Sequence, residues 1–433
     1  PWFWLSFGAV AVIAYAMGGR LSRPHWLRIA IHTQWAVTLG LLPLLLVLFQ
    51  QVSIISPIAN AFAIPLISFV VVPFTLLGAL LPLDWALQLA HSILAACMLL
   101  LQWLGDLPFG TWQQHAPPAW TLLPALFGVL WMLLPRGFPM RWLGVIALFP
   151  MFMLQPLHPE FGAMKVAVLD VGQGLAVTVR TATHMLLYDT GPRYSSQSDS
   201  GSRIVVPYLR GEGIRQLDGL IVSHNDTDHS GGMASVLAQI PVDWVASSLA
   251  DNTPVLATHE HMLCYAGQSW VWDGVRFDML HPSPSSYEDA DIKDNNRSCV
   301  LRVTSQFGSL LLTGDIEREA EQELLGSFAD ELASDILIVP HHGSKTSSTP
   351  AFIAAVQPQV TIFTVGYRNR FGHPKQAVLE RYAQTGSKAY RSDNDGAVLL
   401  DFSSSKAIAI TRWRYQARRY WQDATFFKTG TPE

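Results

Sequence analysis

The first third of the chain is dominated by apolar stretches long enough to cross a membrane. Residues 1–19 contain no charged side chain, and residues 29–83 run for 55 positions without Asp, Glu, Lys or Arg. A membrane helix needs about 20 mainly apolar residues, so the second stretch has room for two spans, separated near the polar positions 50–56. Residues 85–105, 118–135 and 142–157 are further candidate spans. The pattern predicts an α-helical, multi-span membrane domain over residues 1–157.

Basic residues near the ends of the spans predict the orientation of this domain. The loop of residues 20–28 holds three arginines, and Arg136 with Arg141 marks a second basic loop. Because Lys and Arg near span ends remain cytoplasmic, both loops are assigned to the cytoplasm, with four crossings between them. The final span then places residues 158–433 on the extracytoplasmic side. This count of four crossings requires residues 56–83 to cross the membrane completely.

Residues 56–83 carry polar and helix-breaking residues inside an apolar stretch. Irregular backbone at membrane depth is tolerated only where it lines a cavity or is buried in protein. Asn60 and Pro65 are therefore our candidates for residues of a path through the membrane. A kinked span and a re-entrant segment both fit this pattern, which rests on Ser56, Pro57, Asn60, Pro65, Ser68 and Pro73.

From Lys165 onward, the long apolar stretches give way to short runs of strand length. Runs such as GLAVTVRT, HMLLYDTG, LDGLIVSH and DILIVPHHG are bounded by Gly, Asp, Ser or Pro. Helical patterns such as REAEQELLGSFA and PKQAVLERYAQ alternate with them. This alternation predicts an α/β domain over residues 158–433, with residues 158–164 as the hinge between the two domains.

Charge is divided as unevenly as hydropathy. Residues 1–157 carry five basic and two acidic side chains, a net charge of +3, so the rest of a chain with net charge −4 carries −7. This division excludes a single soluble domain and a nucleic-acid-binding protein that works by overall basicity. The chain also begins at Pro1 inside an apolar run, without Met and a basic leader, which indicates a fragment of a longer protein.

The three cysteines are too few for a disulfide-rich scaffold, and their spacing fits no zinc finger. We interpret Cys264 and Cys299 as separate buried thiols. Pairing of these two residues in an oxidising compartment is the alternative interpretation.

Several of the strand-like runs end in a residue that can bind a metal ion. If the strands lie side by side, their ends gather carboxylates and imidazoles at one rim of a sheet. Two divalent ions held at that rim would lower the pKa of a bridging water and clamp a phosphoryl centre. The candidate ligands are Asp189, His224, Asp226, Asp228, His229, Asp315, His341 and His342.

The sequence HNDTDH resembles the metal signature HxHxDH of the metallo-β-lactamase fold, with Asp226 in place of the second His. The motifs DVGQG, DTG, NNRS, LTGD, PHHGSKTSS and FGHP are similar, in this order, to the hydrolase domain of the ComEC family of DNA-uptake proteins. Residues 39–78 are similar to the core of that family's competence domain. The resemblance covers nearly the whole chain and lacks the family's N-terminal part. It implies a partial competence-type membrane domain followed by an αββα metallo-β-lactamase-like nuclease domain.

The resemblance also implies two metal ions and their ligands. The implied ligands are His224 and Asp226 for one ion, and Asp228, His229 and His342 for the other, with Asp315 bridging. His341 is the alternative to His342, and Asp189 would orient the site from behind the ligands. Asn295 and Asn296 stand where the fold usually offers another His, and Asn296 is a candidate oxygen ligand. Because the first site is then rich in oxygen, we expect Mn²⁺ to be preferred over Zn²⁺.

Two further residues are assigned to the reaction beside Asp228, whose carboxylate would hold the second ion. His373 is a candidate for protonating the leaving oxygen, a role that His341 could share, or for contacting phosphate. Lys345 is a candidate for holding the substrate phosphate. A structural histidine in a turn and a solvated lysine are the alternative interpretations.

Together these features predict an inner-membrane protein of natural transformation. The membrane domain would form a channel for single-stranded DNA, and the extracytoplasmic nuclease would degrade the strand that is not imported. The expected partners are DNA, the membrane, other proteins of the competence machinery and further copies of the chain. Two alternatives stay open: a transporter whose hydrolase-like domain only binds DNA, and a membrane-tethered metallo-hydrolase of a substrate other than DNA.

Overall fold

The computed structural model of the protein describes residues 2–18, 25–135, 137–250, 253–403 and 407–418. The chain divides into two compact units, of which one is Pro1–Pro156 with Arg210–Gly213 and the other is Leu157–Leu209 with Ile214–Glu433. Three of the arginines on which the predicted orientation rests, Arg20, Arg23 and Arg136, lie outside the described residues.

The first unit is helical. Its α-helices are α1 (Trp2–Met17), α2 (Trp26–Phe49), α3 (Ser56–Leu66), α4 (Val72–Leu80), α5 (Asp84–Gly105), α6 (Leu122–Met132) and α7 (Phe149–Met153). A π-helical stretch, Ile67–Val71, joins α3 to α4, and the 3₁₀ helices Ala119–Thr121 and Arg141–Leu148 precede α6 and α7. Among the described residues, the segments that are long and apolar enough to cross a membrane are Arg28–Phe49, Ser56–Leu80 and Asp84–Gly105.

The two predicted spans after residue 117 are shorter in the structure than the sequence suggested. Helix α6 has 11 residues, so it rises only about 16 Å, against a hydrocarbon core of about 30 Å. It packs against the 3₁₀ helix Arg141–Leu148, where a Cβ atom added to Gly128 would lie 2.4 Å from the carbonyl oxygen of Gly144. Glycine at both positions lets the two backbones touch. Residues 119–153 therefore form a close-packed hairpin of short helices.

A small antiparallel sheet ties the end of α2 to the segment that follows α5. Strand β1 (Gln51–Ser53) pairs with strand β2 (Thr111–Gln113). Next to β2, the side-chain amide of Gln114 donates a hydrogen bond to the carbonyl oxygen of Met151, at 3.2 Å. After residues 54–110, the chain therefore returns to the end of α2. Met151 lies close to the same end of this helix.

The second unit is a sandwich of two mixed sheets. Its strands are β3 (Met164–Val168), β4 (Val177–Arg180), β5 (Met185–Tyr188), β6 (Arg193–Ser195), β7 (Ser198–Asp199), β8 (Leu217–Val222), β9 (Val242–Ser247), β10 (His261–Leu263), β11 (Ser269–Trp272), β12 (Val275–His281), β13 (Val300–Ser305), β14 (Gly308–Leu312), β15 (Ile336–Ile338), β16 (Val360–Phe363), β17 (Lys388–Arg391), β18 (Val398–Phe402) and β19 (Ala409–Arg412). One sheet has the order β10-β9-β8-β5-β4-β3-β18-β19 and the other runs β11 to β17 in sequence order, while β6 and β7 form a separate hairpin.

Apolar side chains fill the space between the sheets, and helices cover their outer faces. Tyr188 and Phe277 are fully buried in the central layer, α10 packs on the first sheet, and α11 to α13 pack on the second. The α-helices after residue 157 are α8 (Val206–Gly211), α9 (Thr227–Ser230), α10 (Met233–Gln239), α11 (Arg318–Phe328), α12 (Pro350–Val356), α13 (Gln376–Gln384), α14 (Ser392–Asp395) and α15 (Trp413–Gln416). This αββα arrangement confirms the predicted fold class.

Cys264 and Cys299 form a disulfide, with their Cα atoms 5.9 Å apart, so the interpretation of two separate thiols is wrong. Cys264 directly follows β10 in one sheet, and Cys299 directly precedes β13 in the other. Stacking of the two sheets brings these strand ends together, which the spacing of 35 residues along the chain does not reveal. Disulfides persist in oxidising compartments and are rare in the cytosol.

Candidate metal centre

Four side chains converge where strands from both sheets end. Their ligand atoms all lie within 4.8 Å of one another, and they belong to Asp228, His229, Asp315 and His342. Asp228 and His229 lie in the short helix α9 after β8, Asp315 follows β14, and His342 follows β15. The carboxyl ends of these strands meet at one rim of the sandwich, so ligands more than 100 residues apart in the chain become neighbours.

The imidazole of His229 lies at the centre of the cluster. Its Nε2 atom is 3.0 Å from Asp315 Oδ1 and 3.2 Å from His342 Nε2. The Nε2 atom of His342 is in turn 3.3 Å from Asp228 Oδ2. Asp315 Oδ1 is buried, and among the described residues its close polar neighbour is the ionisable ring of His229. Two imidazole nitrogens facing each other between carboxylates fit the donor set of a divalent cation.

Side chains behind the two histidines fix the orientation of their rings. Asp189 Oδ2 lies 2.7 Å from His229 Nδ1, and the same carboxylate accepts hydrogen bonds from the backbone N–H and the hydroxyl of Ser223. The hydroxyl of Thr364 lies 3.0 Å from His342 Nδ1. Both rings therefore turn Nε2 toward the cluster. Sequence reasoning named Asp189 but missed Ser223 and Thr364, although each of these two residues directly follows a strand of the rim.

His224 and Asp226, the ligands expected for a second ion, lie beside the four-residue cluster. His224 Nε2 is 3.5 Å from Asp226 Oδ2, and the Asp226 side chain is 52% exposed. The His224 ring is fully buried and lies 4.3 Å from the His229 ring, centroid to centroid. Its Nε2 atom has no hydrogen-bond partner within the described parts of the chain. A buried polar atom without a partner is costly, so this nitrogen also fits a bound ion.

The structure places Asn296 outside both groups of ligands. Its amide nitrogen donates to the Glu319 carboxylate at 3.0 Å, and its carbonyl oxygen accepts from the backbone N–H of Glu317 at 2.8 Å. Both ends of the amide are therefore engaged in the surrounding loop. Asn296 therefore lies apart from the four-residue cluster, with its side chain turned toward α11, and its role as an oxygen ligand stays a prediction.

His341 lies at the rim and not in the four-residue cluster. Its Nε2 atom is 3.8 Å from Asp315 Oδ2, and its Nδ1 atom is 3.1 Å from the hydroxyl of Thr346. Both His341 and His342 adopt positive φ values, 51° and 55°, and this turn sends the two consecutive rings in different directions. His342 thus points into the cluster, while His341 borders its opening.

His373 lies beside His341, whereas Lys345 is a solvent-exposed residue of the loop that follows the two histidines. The His373 ring is 6.0 Å from the His341 ring, centroid to centroid. Burial, with help from the neighbouring His342 and His341, lowers the pKa of His373 to about 4. This shift favours the neutral form of the ring, and the role of His373 at the leaving oxygen or the phosphate stays a prediction. Lys345 is exposed on the loop after the two histidines.

Electrostatics keep the carboxylates of the cluster ionised. Burial opposes ionisation of Asp228, but His342 and His229 outweigh it and hold the pKa of this carboxyl at about 2. Burial also opposes the charged form of His229, yet Asp315 and Asp189 raise the pKa of this ring well above its usual value. The pKa of Asp315 lies well below its usual range, because the same imidazoles outweigh its burial. Anionic oxygens are thus available to a cation at neutral pH.

Comparisons with known proteins cover both halves of the chain. Residues 2–139 match the family model described as Competence protein, and residues 169–366 match that of the Metallo-beta-lactamase superfamily. Competence protein ComA of Neisseria gonorrhoeae is 37% identical, over 98% of this chain and 58% of that protein.

Two further curated relatives align in the same way. The Uncharacterized protein YcaI of Escherichia coli is 32% identical, over 95% of this chain and 55% of its own length. Recombination protein 2 of Haemophilus influenzae is 31% identical, over 92% of this chain and 55% of its own length. The chain therefore spans little more than half the length of these relatives.

Proposed function

We propose a function from the premise that this chain belongs to the ComEC-type competence proteins, in which a competence domain precedes a metallo-β-lactamase domain. The protein takes part in uptake of DNA during natural transformation. Its helical half contributes to a path for single-stranded DNA through the inner membrane. Its sandwich half is a metal-dependent nuclease that degrades the strand left outside. The observation that carries the nuclease is the buried cluster of Asp228, His229, Asp315 and His342.

The residues of the cluster fit a metal-dependent hydrolase. Asp228, His229, Asp315 and His342 would hold one divalent ion, and His224 with Asp226 would contribute to a second. Bound ions of this kind supply an activated water and stabilise charge on a phosphodiester. Asp189 and Thr364 hold the imidazoles in the orientation that binding requires. His341 borders the opening, where it can accept a hydrogen bond from an incoming group.

A domain that only binds DNA would need none of this buried arrangement. Burying carboxylates and imidazoles is costly unless they bind an ion or one another. The oriented set of ligands therefore favours a hydrolase over a purely structural remnant. To test it, the protein is purified in detergent, its bound metal is measured, and cleavage of single- and double-stranded DNA is assayed. Metal-loaded protein that leaves both kinds of DNA uncut would contradict the nuclease.

A cavity lined in part by polar side chains in the helical half supports the path for DNA. The cavity has a volume of about 420 Å³, and its lining combines apolar residues such as Leu41, Leu45 and Phe49 with uncharged polar ones. The polar lining residues are Gln34, Thr38, Gln51, Ser53, Ser56, Asn60 and Thr111. Asn60 donates a hydrogen bond to the Ser56 hydroxyl at 3.2 Å. Pro65 does not line the cavity; it lies inside α3, shortly before the π-helical stretch Ile67–Val71. Polar groups inside apolar helices are expensive and typically functional.

The small sheet of β1 and β2 supports an extracytoplasmic nuclease domain. Helix α2 carries Arg28 at one end and β1 at the other, and it is long enough to cross the membrane. Because β1 pairs with β2, and Gln114 contacts Met151, a crossing by α2 would put residues 113 and 151 on the side opposite Arg28. This assignment of sides does not depend on whether residues 56–80 cross the membrane. The Cys264–Cys299 disulfide favours the same, oxidising side.

We predict that Ser196→Cys is labelled by a membrane-impermeant thiol reagent in intact spheroplasts. Ser196 is exposed in the nuclease domain, while Cys97 is buried and the other two cysteines are paired. His25→Cys, at the exposed start of α2, is the matched control and should be labelled only after permeabilisation, because the proposal assigns this end of α2 to the cytoplasm whether or not residues 56–80 cross. A tag after Glu433 should likewise be accessible from outside. The reverse labelling pattern would overturn the proposed topology.

We predict that Mn²⁺ restores activity to chelated protein better than Zn²⁺ does. The reason is the oxygen-rich set of ligands around His224, where Asp226 replaces a second imidazole. Asp226→His should shift the ratio of Mn²⁺- to Zn²⁺-supported activity toward Zn²⁺ by about tenfold or more, as measured by titrating each ion into metal-free protein. Asp330→His, on the exposed surface, should leave the ratio unchanged. Exclusive activation by Zn²⁺ would contradict the argument.

A further inference from the structure

An exposed loop with alternating cations and aromatic rings lies beside the candidate metal centre. Residues 366–375, which we call the basic-aromatic loop, begin two residues after Thr364 at the rim. Tyr367 is 55% exposed and Phe371 is 45% exposed. The guanidinium of Arg368 lies 5.1 Å from the centroid of the Tyr367 ring, and that of Arg370 lies 4.8 Å from the centroid of the Phe371 ring.

The charge of this loop contrasts with that of its domain. Residues 366–379 contain Arg368, Arg370 and Lys375 and no acidic residue. The part of the chain after residue 157 nevertheless carries a net charge of −7. A cationic patch on an otherwise acidic domain attracts polyanions to one place on the surface. The loop is therefore suited to bind phosphates close to the acidic cluster without making the whole domain basic.

A row of aromatic rings connects the loop to the metal centre. The Phe371 ring stacks near the His373 ring, with centroids 5.8 Å apart. The His373 ring is 6.0 Å from the His341 ring, whose Nε2 atom is 3.8 Å from Asp315 Oδ2. A polymer bound on the loop thus lies within one or two nucleotide lengths of the cluster.

Hydrogen bonds hold the backbone of the loop while its tip stays exposed. The side chain of Asn369 donates to the carbonyl oxygens of Gly366 and His373, at 3.1 and 2.7 Å, and accepts from the N–H of His373. The N–H of Gly366 donates to the side chain of Gln173 at 3.2 Å. The N–H of Lys375 donates to the carbonyl oxygen of Gly343, next to His342. Such a fixed backbone reduces the entropy lost on binding.

We propose that the basic-aromatic loop binds single-stranded nucleic acid and delivers it to the metal centre. Tyr367 and Phe371 stack on unpaired bases, and Arg368 and Arg370 contact the phosphates between them. Stacking of this kind tolerates any base, because every base has a π face. The assignment rests on the proposed nuclease function and names the form in which its substrate binds.

The test measures binding without catalysis. Full-length protein in detergent is stripped of metal with a chelator, and its affinity for a fluorescent 12-nucleotide oligothymidine is measured by anisotropy. Arg368→Ala with Arg370→Ala should weaken binding at least tenfold. It should also reduce the slope of log K against log salt by about 1.4, since each phosphate contact to a single strand contributes about 0.7. Tyr367→Ala with Phe371→Ala should weaken binding of the single strand more than binding of a duplex.

The matched control is Arg276→Ala with Lys388→Ala. These residues are exposed at the amino ends of β12 and β17, the end of the same sheet opposite the ligands. The control removes the same charge and should bind the oligonucleotide within about twofold of the unchanged protein. Equal affinity of the loop variants and the control overturns the proposal, as does a wild-type protein that binds no oligonucleotide. The binding assay is run without metal, so its outcome does not depend on whether the protein cleaves DNA.

Discussion

Asp228→Asn is expected to abolish metal-dependent hydrolysis of DNA by this protein. The change keeps the shape of the side chain but removes the anionic oxygen that lies 3.3 Å from His342 Nε2. Removing partners behind metal ligands typically costs 10- to 100-fold in affinity or activity, so loss of a ligand itself should lower activity at least about 100-fold. The measurement is the initial rate of DNA cleavage at saturating Mn²⁺, together with the bound metal per chain.

Asp330→Asn is the matched control for this experiment. Asp330 is exposed in the 3₁₀ helix Ala329–Glu331, and its substitution should leave rate and metal content unchanged. Asp228→Asn should also leave uptake of preformed single-stranded DNA intact in cells, because the helical half is not altered. A variant that cleaves DNA at the wild-type rate would refute the assigned cluster. The membrane-tethered hydrolase of another substrate would be favoured by a different result. In that case the wild-type protein cleaves a non-DNA phosphodiester but not DNA, and Asp228→Asn abolishes that cleavage.

Substitutions in the helical half are expected to abolish uptake and to leave hydrolysis intact. The variant Asn60→Leu with Pro65→Ala should abolish uptake of single-stranded DNA. Asn60 supplies an amide to the partly polar lining of the cavity, and leucine would replace it with an apolar group. Alanine at Pro65 restores a backbone N–H and so removes the helix-breaking residue before the π-helical stretch. We expect uptake by transformable cells to fall at least tenfold in well-expressed protein, while DNA cleavage by the purified protein persists.

Ser92→Leu provides the control for a polar-to-apolar change in a membrane-length helix. Ser92 is exposed on α5, and its hydroxyl donates only to the carbonyl oxygen of Gln88 in the same helix. Uptake should therefore persist in this variant. Normal uptake in the Asn60 and Pro65 variant, at matched expression, would sink the assignment of the cavity to the DNA path.

The sequence by itself determined features that depend on local pattern. Long apolar stretches identify α2, α3 to α4 and α5, because the length of a helix in a bilayer is set by the thickness of the hydrocarbon core. The metal ligands are recognisable in the same way. Each follows a strand-like run, and such strand ends collect at one rim of the sandwich. The family resemblance of HNDTDH and PHHG then assigned most of the cluster.

Tertiary structure decided whatever depends on which elements become neighbours. The pairing of β1 with β2 returns the chain to the end of α2, so the proposed topology, unlike the count of arginines, does not depend on how residues 56–83 cross. Stacking of the sheets joins Cys264 to Cys299, and the turn at His341 selects His342 for the cluster. Thr364 contacts His342, and the basic-aromatic loop lies beside His341, for the same reason. Contacts between residues far apart in the chain leave no periodic signal in either segment, so only the assembled sheets reveal them.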